Sequence, residues 1–345
     1  KQKVAVASAY VMDAEIYVLD EPSANLDSEG IEQLSEILST LKRQGRTIII
    51  AEHKLHYLKE LADRVVCMEQ GTIKAIVNGA DFAAYDSAFL RSMGLRQIDL
   101  AKCAMEPHRF EPGNGPLLQA SNLSFAYPCE ERLWKDICFQ ACAGQVVGIV
   151  GRNGAGKSTL IRVLMGLERQ KAGVILYCGQ PAHRKSRVKA SFYVMQDVDY
   201  QLFASSVWEE MMLSDRRTKK DPVKAERILR YFQLYDLKDA HPASLSGGEK
   251  QRLAIAVACM QDKKILYFDE PTSGLDADNM EKVSGIMKQL ADEGHLVFVI
   301  THDYEFAVKT FDRLIHFNGD GKAVWSPLDM LQPNMCIKIN QIKES

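Results

Sequence analysis

The sequence predicts an α/β fold, and two observations support this prediction. Short, continuously apolar runs at residues 146–150 and 265–268 have the length and composition of strands buried on both faces of a parallel sheet. Stretches with helical character follow such runs, and strands that alternate with helices are typical of a parallel sheet covered by helices. In the first third of the chain we expect strands at 16–19 and 47–51, helices at 28–44 and 54–62, and helical character over 81–100.

A glycine-rich motif directly follows the first apolar run. Residues 151–158 read Gly-Arg-Asn-Gly-Ala-Gly-Lys-Ser and match the phosphate-binding pattern G-x-x-x-x-G-K-[ST]. The glycines let backbone N–H groups converge on a polyphosphate, Lys157 reaches the terminal phosphates, and the Ser158 hydroxyl can ligate Mg²⁺. The alternative is a turn without a ligand, but the preceding strand and the following helix favour a nucleoside triphosphate site. The residues predicted to contact the nucleotide are Asn153, Gly154, Ala155, Gly156, Lys157, Ser158 and Thr159.

Two carboxylates stand at the end of the second apolar run. Asp269 and Glu270 follow residues 265–268, and Pro271 ends the strand. Because neighbouring strand residues point to opposite sides, the two acids can have different roles. We expect Asp269 to hold Mg²⁺ through its water shell and Glu270 to polarise the water that attacks the γ-phosphate. An isolated Asp-Glu-Pro would more often be a solvated turn, and the phosphate-binding motif favours the catalytic interpretation.

Between these two motifs, residues 245–252 read Leu-Ser-Gly-Gly-Glu-Lys-Gln-Arg and open a helical stretch. This segment resembles the signature motif of ABC-type ATPases. The other motifs of that family occur in order: Gln196 as the loop glutamine, Ser-Gly-Leu-Asp at 273–276 and Thr-His-Asp at 301–303. The resemblance implies a P-loop NTPase of the ABC ATPase type that uses ATP and Mg²⁺. A Ser-Gly-Gly by itself would indicate only the start of a helix.

The resemblance also implies a role for each of these positions. Gln196 would ligate Mg²⁺ or hold the attacking water, and His302 would donate to the γ-phosphate as the switch residue. Tyr127, which lies 24 residues before Gly151, would stack on adenine, with plain core packing as the alternative. The residues that would bind the γ-phosphate of ATP held by the opposite domain are Ser246, Gly247 and Gly248.

Part of this pattern occurs twice, at a constant offset of 249 residues. Residues 20–22 repeat residues 269–271, and His53 matches His302. Such self-similarity indicates two copies of one domain. The expected fold is therefore one complete ABC ATPase copy plus the C-terminal part of a preceding copy. The residues expected to act in that first copy are Asp20 at Mg²⁺, and Glu21 and His53 in hydrolysis.

The offset and the turn-forming residues predict the domain boundaries. The first copy has neither phosphate loop nor signature motif, so we expect an N-terminally truncated fragment whose parent has roughly 130 more residues. Prolines and glycines at 107–116 indicate an exposed linker. The expected segments are the partial first domain at 1–90, the linker at 91–116, the complete second domain at 117–330 and a C-terminal tail at 331–345.

Composition and charge narrow the class of protein. A chain of 345 residues with 46% hydrophobic residues suits two packed domains. The net charge of -2 lacks the basic balance of a nucleic-acid binder, so we expect no nucleic-acid partner. Eight cysteines without a C-x-x-C pair argue against a disulfide scaffold or zinc site and predict reduced thiols. The sequence contains no apolar stretch of 18 residues that would span a membrane.

Residues 196–203 and 206–210 narrow the resemblance further. They read Gln-Asp-Val-Asp-Tyr-Gln-Leu-Phe and Ser-Val-Trp-Glu-Glu, and they resemble the ATPases of energy-coupling factor (ECF) importers of vitamins and metal ions. This implies a peripheral protein at the cytoplasmic face of the membrane, paired with a second ABC ATPase domain, a transmembrane coupling protein and a substrate-binding membrane protein. The side chains expected to form a docking groove for a partner helix, or else core, are Leu202, Phe203, Val207 and Trp208.

Two other functions stay open on the sequence. A soluble tandem ABC ATPase that acts on ribosomes or nucleic acid would need a basic surface and a long charged linker, and the net charge of -2 counts against it. A module that binds ATP without turnover is disfavoured by the presence of Glu270 and His302.

Overall fold

The computed structural model describes most of the chain, as two compact units. The first unit holds the described residues up to Ala104 together with Gly274–Asp278, and the second holds the described residues from Met105 to Ser273 and from Asn279 onward. Most of the predicted C-terminal tail lies outside the described residues, as does part of the predicted linker, and the predicted domain boundaries stay a prediction. The described residues are 11, 13–24, 26–69, 71–106, 110, 115–128, 133–213, 221–318 and 321–331.

A parallel pair of strands and one long helix form the centre of the first unit. Strand β1 (Ile16–Asp20) pairs with β2 (Thr47–Ala51), and helix α1 (Ser28–Arg43) connects them, as the sequence predicts. Asp27 begins α1 by accepting a hydrogen bond from Gly30 N at 3.0 Å. The apolar face of α1 packs on the strands through the buried residues Ile31, Leu34 and Leu38, and Leu26, which precedes the helix, joins the same cluster.

A hairpin and two short helices complete the first unit. Strands β3 (Arg64–Glu69) and β4 (Thr72–Asn78) pair antiparallel, and α2 (Gly79–Ala83) and α3 (Ser87–Ser92) follow. The helical character predicted over 81–100 is thus only partly correct. Separate N-caps interrupt it, because the residue before each helix accepts a hydrogen bond from a backbone N–H within that helix.

Part of the segment between the two predicted domains packs against the first unit. Ile98 is buried and belongs to a small apolar cluster with Leu55, Phe82 and Leu90. This part of the chain therefore packs onto the first unit, because an apolar side chain that can reach a core gains free energy by leaving water.

The main sheet of the second unit has six strands, which lie in the order β10 (Ser191–Val194), β11 (Ile265–Asp269), β12 (Leu296–Ile300), β7 (Val146–Val150), β13 (Arg313–Phe317) and β14 (Ala323–Pro327). All neighbouring strands are parallel except β13 and β14, which pair antiparallel. Three central strands, β7, β11 and β12, are buried along their whole length, as their continuous apolar composition predicts.

A second sheet of four antiparallel strands has the order β6-β5-β8-β9. It shares one apolar core with the main sheet, in which Tyr267 stacks on Phe298 with ring centroids 5.2 Å apart. Its strands are β5 (Leu118–Phe125), β6 (Trp134–Ala141), β8 (Ala172–Tyr177) and β9 (Gln180–Pro181).

Among the described residues, seven α-helices lie in the second unit, except that the one beginning at Ala277 has its first two residues in the segment Gly274–Asp278 of the first unit. None of the helices described in either unit is long and apolar enough to cross a membrane. They are α4 (Lys157–Met165), α5 (Arg184–Ala190), α6 (Val207–Met212), α7 (Pro222–Tyr231), α8 (Gly247–Cys259), α9 (Ala277–Asp292) and α10 (Tyr304–Thr310).

The helix predicted at 54–62 is wrong, and α10 shows the physical reason. Asp303 begins α10 by accepting a hydrogen bond from Phe306 N at 3.2 Å. The residue 249 positions earlier is Lys54, whose ammonium has no acceptor to offer a helix N-terminus. Between residues 54 and 62, the first unit accordingly forms a 3-10 turn at His56–Leu58 in place of an α-helix.

The strand order brings the predicted motifs together. Strands β11, β12 and β7 are consecutive neighbours, so their C-terminal ends lie side by side. The loops at these ends carry the predicted acids, the predicted switch histidine and the glycine-rich motif. Ligands of open α/β sheets bind at such an edge.

Candidate active site

The glycine-rich loop connects β7 to α4, and its backbone requires glycine. Gly156 has a φ of 94°, and a Cβ there would lie 2.7 Å from the ring of Trp134. Because an L side chain rarely adopts that backbone and the indole leaves no room, only glycine fits. Helix α4 then begins at Lys157, with its first backbone N–H groups facing the loop.

Lys157 lies across this loop. Its side chain is buried, and its Nζ donates to the carbonyl oxygens of Gly151 at 2.7 Å and of Arg152 at 3.0 Å. The ammonium is thus held at the loop, where it can exchange backbone oxygens for phosphate oxygens of a nucleotide.

His302 joins the loop to the catalytic carboxylate. Its Nε2 lies 3.1 Å from Lys157 Nζ, 3.0 Å from Asn153 Oδ1 and 3.6 Å from Glu270 Oε1. A lysine ammonium only donates and an amide oxygen only accepts, so protonation at Nε2 decides which of these two partners His302 binds. The predicted nucleotide residues and the predicted switch histidine therefore meet at one place.

Ser158 and Asp269 form the predicted metal-binding pair. Ser158 Oγ donates to Asp269 Oδ2 at 2.7 Å, although the two residues lie on different elements, α4 and β11. Tyr193 OH donates to the same carboxylate oxygen at 2.8 Å. Burial and the Asp269 charge raise the pKa of Tyr193, so the phenol remains a donor at neutral pH.

Tyr193 is not among the site residues that the sequence motifs predict. A signal was present, since Tyr193 lies within the apolar run at residues 192–195, three residues before the predicted loop glutamine Gln196. The strand that carries Tyr193 is the neighbour of the strand that carries Asp269, and no motif reveals that pairing.

Glu270 is held in an uncommon backbone conformation. Its φ is 51°, and its backbone N–H donates to Ile300 O at 2.9 Å. Its buried carboxylate accepts from Thr301 Oγ1 at 3.3 Å and from His302 N at 3.4 Å. Left-handed backbone at a non-glycine residue costs free energy and concentrates at functional sites.

Two predicted site residues, Gln196 and Tyr127, are less buried than the lysine, the acids and the histidine described above. Gln196 follows β10 and is exposed. Tyr127 is half-buried, its hydroxyl lies 3.0 Å from Thr159 Oγ1, and its ring packs edge-on against Phe125 at 5.0 Å. Stacking of Tyr127 on adenine stays a prediction, and its ring also contributes to the core.

The signature segment begins α8. Ser246 is the N-cap, and with Glu249 it forms a capping box, in which each side chain binds the backbone N–H of the other residue. Ser246 and Gly247 are exposed, so they are accessible to a second ATPase domain.

The first unit contains a similar acid and histidine. Glu21 Oε1 lies 3.6 Å from His53 Nε2. The residue before this histidine is Glu52, whose carboxylate accepts from His53 N at 2.8 Å and from Tyr57 OH at 2.8 Å. Burial raises the pKa of Glu21, with His53 opposing and Glu52 adding to the shift. Asp20, the predicted metal ligand of this copy, is exposed at the end of β1.

The predicted docking residues divide into surface and core. Phe203 is 77% exposed, whereas Val207 is fully buried, and Leu202 and Trp208 are intermediate. The buried carboxylate of Glu210, which the sequence analysis missed, accepts from Phe203 N at 2.8 Å and from the next backbone N–H at 2.7 Å. It thereby fixes the loop that presents Phe203 to solvent.

Sequence comparisons find a family model and several proteins that are similar to this chain. The family model described as ABC transporter matches residues 134–273. A putative ABC transporter ATP-binding protein of Treponema denticola is 43% identical over 329 residues, which are 94% of this chain and 66% of that protein. A protein of the same description from Clostridium tetani is 31% identical, over 97% of this chain and 83% of that protein. The chain spans 62 to 66% of the length of three relatives that it matches, among them the Treponema denticola protein.

Two solved structures resemble the fold in different ways. The structure of cbiO1 from Clostridium perfringens, described as part of the ABC transporter complex cbiONQ, has a TM-score of 0.56 and 26% identity and covers 63% of this chain and 90% of its own. A model of ribosome-bound archaeal Pelota and ABCE1 has a TM-score of 0.75 and 25% identity and covers 95% of this chain and 55% of its own.

Proposed function

Because the chain belongs to the family of ABC transporter ATP-binding proteins, we propose that it binds and hydrolyses ATP to power an importer of the ECF type. The observation that carries the proposal is the cluster at the C-terminal edge of the main sheet. There Lys157, the pair of Ser158 and Asp269, and the pair of Glu270 and His302 lie within hydrogen-bond or ion-pair distance of their neighbours.

The phosphates are bound by the loop and the start of α4. Backbone N–H groups at a helix N-terminus carry partial positive charge, and Lys157 adds a full charge beside them. Residues 153–159 surround the phosphates in this proposal, and the ring of Tyr127 stacks on the adenine.

The oxygen donors present fit Mg²⁺. Ser158 Oγ and Asp269 Oδ2 are adjacent, and Mg²⁺ prefers hydroxyl, carboxylate and water oxygens. Ser158 and Asp269 would hold the Mg²⁺ ion, whose positive charge would offset the negative charge that develops on the phosphates during phosphoryl transfer. Tyr193 orients the Asp269 carboxylate, and Gln196 is proposed as a further ligand of the metal or the water.

Hydrolysis needs a group that orients and deprotonates water. Glu270 is the general base in this proposal, because its carboxylate is buried beside His302 and its neighbouring Thr301 hydroxyl keeps it in place. His302 donates from Nε2 to the γ-phosphate when that nitrogen carries a proton. Glu21 and His53 have the equivalent roles in the first copy, with Asp20 at its metal.

The signature segment serves the opposite domain. Ser246 presents a hydroxyl, and Gly247 and Gly248 present the first backbone N–H groups of α8, which suits a γ-phosphate held by another ATPase domain. Nucleotide then favours the closed pair because it binds that state better than the open one.

Exposed Phe203 is the proposed contact with the membrane partners, a transmembrane coupling protein and a substrate-binding membrane protein. An aromatic side chain on a loop fixed by Glu210 offers apolar area with little entropy left to lose on binding. The proposed location is the cytoplasmic face of the membrane, with the likeness to cbiO1 as support for the ECF type.

A second candidate is a soluble tandem ATPase that acts on ribosomes or nucleic acid. The observation in its favour is the likeness to the ribosome-bound archaeal structure, which extends over 95% of this chain. The net charge of -2 argues against a nucleic-acid surface, because phosphate contacts need a basic one.

Fractionation of the native host separates the two candidates. The tagged protein should remain with detergent-solubilised membranes together with small integral membrane proteins, and Phe203→Ser should release it while ATP binding is retained. Sedimentation with ribosomes in an ATP-dependent manner, with no membrane-bound fraction, would favour the second candidate instead.

A further inference from the structure

The side chain of Glu249 holds the hydroxyl of the signature serine. Glu249 Oε2 accepts from Ser246 N at 2.7 Å and from Ser246 Oγ at 2.8 Å. In return, Ser246 Oγ accepts from Glu249 N at 3.4 Å. The serine hydroxyl is therefore engaged both as donor and as acceptor within its own helix turn.

The hydroxyl has only one proton to donate. A γ-phosphate offers acceptor oxygens, so it needs the Ser246 O–H as a donor. The Glu249 carboxylate uses the same proton in the structure. Ser246 can donate to the carboxylate or to the phosphate, but not to both at once.

The carboxylate also adds a like charge at this position. Hydrogen bonds from Ser246 hold the pKa of Glu249 below its ordinary value, so the group is ionised at neutral pH. Arg252 provides part of the compensating charge. Lys250, the next residue in the sequence, is paired with Asp199, whose Oδ1 lies 2.8 Å from its Nζ.

We propose that Glu249 restrains the signature serine and so raises the nucleotide concentration at which two ATPase domains close on ATP. The carboxylate competes with the γ-phosphate for the Ser246 proton and repels its charge, and closure requires Glu249 to release the hydroxyl. This inference rests on the proposed function, in which Ser246 binds a nucleotide held by an opposite domain.

A purely structural role for Glu249 makes a different prediction. A capping box stabilises the start of a helix, and glutamine suits the third helical position as glutamate does. Glu249→Gln therefore keeps an acceptor for Ser246 N and removes the negative charge. If capping were the whole role, this variant would leave nucleotide-driven pairing unchanged.

The test uses the full chain with Glu270→Gln, which stops turnover, as the reference protein. Sedimentation velocity would give the ATP concentration at which half of the chains pair, with and without Glu249→Gln. We expect the added substitution to lower that concentration about tenfold, as the loss of one charge-assisted hydrogen bond permits. ATP affinity of the unpaired chain and the melting temperature without nucleotide should stay unchanged.

Glu209→Gln is the matched control. Glu209 occupies the third position of α6, and its backbone N–H donates to the N-cap Ser206 at 3.1 Å, so the same charge is removed from an equivalent helix position outside the signature. It should not change pairing. Equal half-maximal concentrations for the reference and for Glu249→Gln would overturn the restraint alone. Failure of the reference itself to pair at saturating ATP would overturn the shared nucleotide site and the restraint with it.

Discussion

The two units contain an acid and a histidine in matching geometry but in different surroundings. Glu21 and Glu270 both have positive φ, at 42° and 51°, and each lies 3.6 Å from a histidine nitrogen. In the second unit these two side chains are only 10% and 6% exposed, whereas Glu21 and His53 are 35% and 42% exposed. The short motif therefore determines the backbone turn at the glutamate and its distance from the histidine, while the surrounding residues determine how far both side chains are exposed to solvent.

The residue before each histidine increases the difference. Thr301 donates a hydroxyl to Glu270, so it supports a negative charge there. Glu52 occupies the equivalent position in the first unit and adds a second carboxylate, which raises the pKa of Glu21. One substitution thus changes a neighbour that stabilises an ionised base into one that opposes it.

The largest expected effect is the loss of ATP turnover on substitution of Glu270, compared with the same substitution at Glu21. Glu270→Gln should lower ATP turnover about 100-fold or more, because an amide keeps the shape but cannot act as a base. Glu21→Gln should cost much less, because the phosphate loop at residues 151–158 belongs to the second unit. Steady-state phosphate release checks both, with ATP binding as the control for folding. Equal losses would break the comparison.

Substitution of Lys157 tests whether nucleotide affinity belongs to the second unit. Lys157→Ala should weaken ATP binding about 10- to 100-fold, since it removes charge-assisted hydrogen bonds to the phosphates. Isothermal titration with a non-hydrolysable ATP analogue gives the affinity. Unchanged affinity would place the phosphates elsewhere and remove the assigned role of the loop.

Substitutions of exposed Phe203 and buried Val207 distinguish a docking role of this segment from a packing role. Phe203→Ser should abolish co-purification with membrane subunits and leave the melting temperature within about 2 °C, because the ring is exposed. Val207→Ser should lower the melting temperature by several degrees, because it buries a hydroxyl in the core. A large loss of stability in the Phe203 variant would show that its ring supports the fold.

The smallest expected effect concerns the pKa of Glu21. Glu52→Gln should lower that pKa towards its ordinary value of 4.5, because it removes a neighbouring negative charge. A pKa raised by folding means that the folded state binds the proton more tightly, so the free energy of unfolding falls as pH rises through the raised pKa. Carbon-detected NMR of the carboxyl group measures the pKa directly, and an unshifted value would remove Glu52 from the explanation.

Much of the site could be predicted because its residues belong to contiguous motifs. Lys157, Ser158, Asp269, Glu270 and His302 were identified from short segments, and the sheet order brings those segments together. The strands that carry these residues could also be predicted, since the central strands are continuously apolar.

Residues that act across elements could not be predicted in this way. Tyr193 reaches Asp269 because β10 neighbours β11, and Glu210 holds the backbone of a loop that lies seven residues before it. The failed helix after His53 has a local cause, since Lys54 replaces a capping aspartate. That signal is visible in the sequence, since a lysine stands where a helix N-cap needs an acceptor.

The central claim, a nucleotide shared between the phosphate loop of one chain and the signature segment of another, is tested most directly by complementation. Lys157→Ala weakens nucleotide binding at the loop but keeps the signature, and Gly247→Asp keeps the loop while its carboxylate repels the γ-phosphate. A Cβ at Gly247 has no atom within 4 Å, so this variant should fold normally. Each variant alone should be inactive, and their mixture should regain ATP turnover through mixed pairs that contain one intact site. A mixture as inactive as its components, or full activity of Gly247→Asp alone, would contradict the account.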